Sequence, residues 1–112
     1  MSRSDRELVA DALEHLRMLH HHLDRADLAD ETVADAVSLR LAAAIESLSG
    51  ASQEVRDRVF GEQWSNVWAT RNRIAHGYAH VDIAIIRATV ELDLPGVETA
   101  LNAELTREGE RS

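Results

Sequence analysis

One proline and five glycines are all that punctuate a chain of 112 residues, and between those breaks the apolar side chains recur at helical spacing. Ala and Leu outnumber the β-branched and aromatic residues, which favours helix over strand throughout. A first helix opens on Ser4-Asp5-Arg6-Glu7, a capping-box pattern, and carries Leu8, Ala12, Leu16, Leu19 and Leu23 on one side. A second starts near Thr32, turns Val33, Val37, Leu41, Ala44, Ile45 and Leu48 inward, and ends at Gly50 as a natural C-terminal stop. Ser52 suits the cap of a short third helix through about Phe60, closed by Gly61. A fourth runs from about Glu62 to His76 and stops at Gly77. Asp82 caps a fifth segment with Ile83, Ile86 and Val90 inward, and Asp93-Leu94-Pro95 restarts a helix that presents Leu101 and Leu105. Residues 107–112 read as a frayed, solvated tail. The expectation is one domain over residues 1–112 with its core at about 5–105, all-α, folded as an antiparallel bundle of about five helices.

Cysteine is absent, which removes disulfides, thiolate nucleophiles and cysteine-ligated metals as routes to function. All 12 basic residues are Arg, so there is no lysine to serve as Schiff base or tuned general base, and every fixed positive charge is a planar fork suited to carboxylate or phosphate. No apolar run has the length of a signal peptide or a membrane span, and the expected location is the cytoplasm. The net charge of −8 argues against broad binding to nucleic acid, yet it is unevenly spread. Residues 1–50 hold 5 Arg and 10 acids, 51–80 hold 4 Arg and 3 acids, and 81–112 hold 3 Arg and 7 acids, giving −5, +1 and −4. The near-neutral middle contains Arg56, Arg58, Arg71 and Arg73 together with both Trp and the only Tyr.

The fourth helix holds a local contradiction. Projected at about 100° per residue from Trp64, its apolar side chains Val67, Trp68, Ile74 and Ala75 fall within about 80°, and Arg71 lies near the middle of that stripe. Either Arg71 pairs with an acid from another helix or snorkels to water, or its guanidinium faces a pocket or subunit interface and binds an anion.

The stretch Arg71-Asn72-Arg73-Ile74-Ala75-His76-Gly77-Tyr78 resembles the R-x-x-x-x-H-x-Y signature of the HepT-like toxins, a branch of the HEPN ribonuclease superfamily. An Arg followed five positions later by a His is expected by chance about 0.6 times in such a composition, and Arg17 with His22 repeats it. Adding the single Tyr at the right offset lowers that expectation to about 0.006. Trp64 and Trp68 before the motif, and Val81-Asp82, Ile85-Ile86 and Asp93-Leu94-Pro95 after it, extend the likeness, which covers about residues 5–105 and is strongest over 64–96. The resemblance implies a HEPN-like bundle that dimerises, and a metal-independent endoribonuclease acting as the toxin of a type VII toxin–antitoxin pair. It further implies a cognate minimal nucleotidyltransferase antitoxin that neutralises the toxin by AMPylation, with Tyr78 as acceptor, and it calls for no cofactor and no metal.

The residue types suit that chemistry. RNA cleavage without metal needs a group to take the 2′-hydroxyl proton or protonate the leaving 5′-oxygen, and an imidazole is the side chain suited to that transfer, which makes His76 the candidate. Arg71 can place positive charge on the phosphorane as it forms. Asn72, four residues before His76, supports the site if its amide orients the imidazole. Arg71 and His76 are about 140° apart on an ideal helix, so two copies meeting across a two-fold axis aim both groups at one phosphate more easily than one copy does. An adenylylated Tyr78 would block RNA by volume and by like-charge repulsion.

The remaining features have plainer readings. Three adjacent histidines, His20-His21-His22, point about 100° apart and share a ligand geometry poorly, so with His15 they form a solvated cluster before they form a metal site. His76 and His80 have a zinc-like spacing only if the helix continues past Gly77. Trp64 and Trp68 read as core or dimer anchors rather than base-stacking platforms. The alternative to a ribonuclease is a non-catalytic HEPN-type module that binds a nucleotide or a protein partner.

Overall fold

The computed structural model describes residues 4–76 and 82–111, with side chains through residue 107, and among the described residues every regular element is helical. Helix α1 spans Asp5–Arg25, α2 Glu31–Ser49, α3 Gln53–Phe60, α4 Trp64–Ala75, α5 Ile83–Ala88 and α6 Leu94–Arg111. The short polar caps fix where they begin. Ser4 Oγ accepts from the Glu7 N–H at 3.2 Å and donates to the Glu7 carboxylate at 3.3 Å, and Asp30, Ser52 and Asp82 cap α2, α3 and α5 in the same manner.

Contacts between α1 and α2 show the antiparallel pairing directly. The Asp5 carboxylate at the start of α1 accepts from both the N–H and the hydroxyl of Ser52, each at 2.8 Å, just beyond the end of α2, while His15 Nδ1 meets Arg40 at 3.2 Å midway along. The seam is filled by Val9, Ala12, Leu16 and Leu19 of α1 and Val37, Leu41, Ala44 and Leu48 of α2, all buried. Helix α6 returns along α1, with Arg6 donating to the Leu105 carbonyl at 2.9 Å and His20 bonded to Glu98 at 2.7 Å. It also meets α3, where Arg58 grips the buried Glu104 through two nitrogens at 2.6 and 3.0 Å. Helix α4 lies against α2.

The ends expected for α2 and α3 hold, with Gly50 and Gly61 as their C-caps, but the two stops are made differently. Gly50 ends α2 with φ −83°, so no left-handed glycine cap makes the stop; the chain leaves the helix because Ser52 adopts extended backbone to cap α3 and is tied to Asp5. Gly61 does have positive φ, +58°, a conformation that excludes side chains, and it turns α3 through a single 3₁₀ turn, Gly61–Gln63, into α4. The helix expected from Asp93-Leu94-Pro95 does begin at Leu94, as α6, but it continues from α5 without a break. Residues Thr89–Asp93 form a π-helical turn that joins α5 to α6, and the Leu94 N–H reaches back to the Thr89 carbonyl. Pro95 has no N–H to donate, and the widened turn accommodates it without a break. Helix α6 then runs on to Arg111, beyond the point at which the sequence suggests fraying.

At the α1–α2 loop, Asp27 accepts from the Ala29 N–H at 2.7 Å and from Arg87 at 3.1 Å. These contacts, the backbone hydrogen bond foremost, hold the carboxyl below the ordinary aspartate range. As pH falls the unfolded chain therefore takes up this proton first, so the stabilisation is complete above about pH 4 and is lost as pH falls further. Asp27→Asn is expected to flatten the acid limb of stability slightly, checked by urea unfolding between about pH 5 and 2. An unchanged acid limb would show that these bonds add nothing.

Candidate functional site

Helix α4 carries Arg71 and Asn72 and ends with His76 as its C-terminal cap. None of its side chains is fully buried, although Trp64, Val67, Trp68 and Ile74 pack partly against the core. Along that apolar stripe three aromatic rings follow one another, and a guanidinium lies over two of them. Phe60 and Trp64 lie 5.3 Å apart, Trp64 and Trp68 stack at 6.1 Å, Arg56 caps Trp64 at 5.3 Å and Arg71 caps Trp68 at 4.8 Å. Cation–π contact explains how arginine takes a place where leucine would be expected: the guanidinium plane covers the indole and its edge faces polar partners.

Those partners are on two sides. Arg71 Nη2 is 2.9 Å from Glu46 Oε2 of α2, and Nη1 donates to Asn72 Oδ1 at 3.1 Å. The arginine thus pairs with an acid from another helix, one of the two possibilities its sequence position offers, while its side chain keeps 26% exposure and so reaches solvent in part. Two such contacts occupy at most two of the five guanidinium N–H groups, which leaves donors for an anion.

His76 is exposed, and its N–H donates to the Asn72 carbonyl at 3.0 Å. Its backbone is still helical, φ −81° and ψ 0°, so no break before His76 alters the five-residue offset from Arg71. The Asn72 side-chain oxygen serves Arg71, a role the sequence reading did not include. Arg73 is exposed on the same turn. Gly77, Tyr78 and His80 lie outside the described residues.

Glu46 is the residue that the sequence reading missed. The signal was present, because an arginine on an apolar stripe needs an anion, and Glu46 is the only acid of α2 beyond Asp35. The histidine cluster is dispersed: His20 is bonded to Glu98, His15 to Arg40, and the rings of His21 and His22 lie 6.0 Å apart, tilted by 60°. Among the described residues no three His, Asp or Glu side chains gather as a metal site, and no helix is long and apolar enough to cross a membrane.

The fold and this polar helix end define an all-helical bundle with a partly exposed arginine and an exposed histidine at one end of a single helix. The family described as Ribonuclease HepT-like has a model that matches residues 9–104, and the chain belongs to that HepT-like ribonuclease family. Comparisons with curated proteins and with solved structures give no match.

Proposed function

We propose that this protein is a cytoplasmic, metal-independent endoribonuclease, the toxin of a type VII HEPN/minimal nucleotidyltransferase toxin–antitoxin pair. The observation that carries the reading is Arg71, partly exposed on α4 five residues before an exposed His76, in a chain of the HepT-like ribonuclease family. In the proposed reaction the 2′-oxygen attacks the adjacent phosphorus, the 5′-oxygen leaves, and the products are a 2′,3′-cyclic phosphate and a 5′-hydroxyl. His76 moves the proton of one of these oxygens, and Arg71 stabilises the anionic phosphorane through the N–H groups that Glu46 and Asn72 leave available.

The helical offset of about 140° between the two side chains supports a homodimer in which each site combines groups from both copies. The half-covered state of α4, with two tryptophans and no fully buried residue, supports the same arrangement, since such a face is typical of a surface that a second copy covers. Regulation by a nucleotidyltransferase antitoxin that adds AMP to Tyr78 is what the resemblance of the motif to the HepT-like toxins implies. Two positions beyond His76, such a group brings bulk and negative charge close to the site.

Co-expression with a nucleotidyltransferase encoded beside it tests the regulatory part. Intact-mass and peptide spectra are expected to show AMP on Tyr78, with cleavage lost and then restored on its enzymatic removal. An unmodified Tyr78 in a tight, inactive complex would replace modification by simple masking.

A further inference from the structure

Arg71 is supported from three directions: the Trp68 ring beneath it at 4.8 Å, Asn72 Oδ1 at 3.1 Å on one terminal nitrogen, and Glu46 Oε2 at 2.9 Å on the other. Two of these supports come from α4 itself. The third comes from α2 and ties the guanidinium to a second helix. The Glu46 side chain is 55% exposed, so packing does not require it. It also carries a cost for any anion-binding task, because a carboxylate beside Arg71 weakens the attraction for a phosphate.

We propose that Glu46 is a positioning residue for Arg71, holding the guanidinium in one orientation at the expense of ground-state affinity for RNA. The inference rests on the ribonuclease reading above. A guanidinium fixed by a second helix meets the phosphorane without reorganising, whereas one left free binds any nearby phosphate more strongly and aligns it less well. Rate and affinity therefore move in opposite directions when the acid is removed. A residue that merely stabilises the fold would shift the melting temperature and would leave that split absent.

The test uses the full chain with Glu46→Gln and Glu46→Ala, each also combined with Arg71→Ala. Binding is read by fluorescence anisotropy on a fully 2′-O-methylated RNA, which has no 2′-hydroxyl to attack. Glu46→Gln removes the charge and keeps an acceptor, and is expected to bind about 1.5- to 5-fold more tightly than wild type, a gain that disappears on the Arg71→Ala background. With unmodified RNA, Glu46→Ala is expected to lower kcat about tenfold while Glu46→Gln retains most of it, and both melt close to wild type. Equal affinities for Glu46→Gln and wild type, or a gain that persists without Arg71, would overturn the inference, as would an unaltered kcat in Glu46→Ala. A wild-type chain that leaves unmodified RNA whole removes the ribonuclease reading, and the Arg71-dependent change in affinity then still judges the role of Glu46 in anion binding.

Discussion

Alanine at Arg71 or at His76 is expected to lower RNA cleavage by about 10²- to 10³-fold without unfolding the chain, since each removes a group that acts on the reacting phosphate. His76 is exposed, Arg71 is partly buried, and neither belongs to the buried core, so the circular dichroism spectrum and the melting temperature are expected to stay near wild type. The two variants also report on how the site is assembled. If each site draws Arg71 from one copy and His76 from the other, a mixed dimer of the two variants contains one intact site and one doubly damaged one. Mixing two inactive proteins under conditions of subunit exchange is then expected to restore up to about a quarter of the wild-type rate, as half the dimers are mixed and each has one of two sites. Mixtures that stay inactive while exchange is demonstrated would place both groups of each site on one chain.

Leu19→Ala is expected to produce the largest loss of stability. Leu19 is fully buried in α1, in the cluster that joins α1 and α2. Removing a buried leucine side chain costs about 2–5 kcal/mol, partly by lost burial and partly by the cavity that remains. Against the roughly 5–15 kcal/mol that holds a small domain folded, this corresponds to a fall in melting temperature of more than about 10 °C. Urea unfolding at fixed protein concentration measures it, and a cost below about 1 kcal/mol would contradict a core centred on the α1–α2 seam. The seam matters to the site because it fixes α2, and α2 carries Glu46 to Arg71.

The parts of the fold legible in the sequence are those decided by neighbours along the chain. Ser4, Ser52 and Asp82 act as caps because a short polar side chain reaches the N–H two or three residues ahead, and the inward leucines of α1 follow from helical spacing alone. Contacts between distant residues leave no such mark. Neither the grip of Arg58 on Glu104 nor the tie from Asp5 to Ser52 has a local signature, and the latter ends α2 at a glycine whose backbone needs no glycine. The π turn before Pro95 is not legible in the sequence because proline announces a missing hydrogen bond without saying whether the helix breaks or widens. At the site, the odd placement of Arg71 was legible, and so was its need for an anion. The identity of that anion was not, because it depends on how α2 and α4 meet.

Incubating the purified chain with a broad panel of RNAs in excess chelator tests the ribonuclease reading most directly. Fragments ending in 2′,3′-cyclic phosphate and 5′-hydroxyl are expected, abolished by Arg71→Ala and by His76→Ala. RNA left whole across the panel by the wild-type protein would contradict it and favour a helical module that binds without cutting.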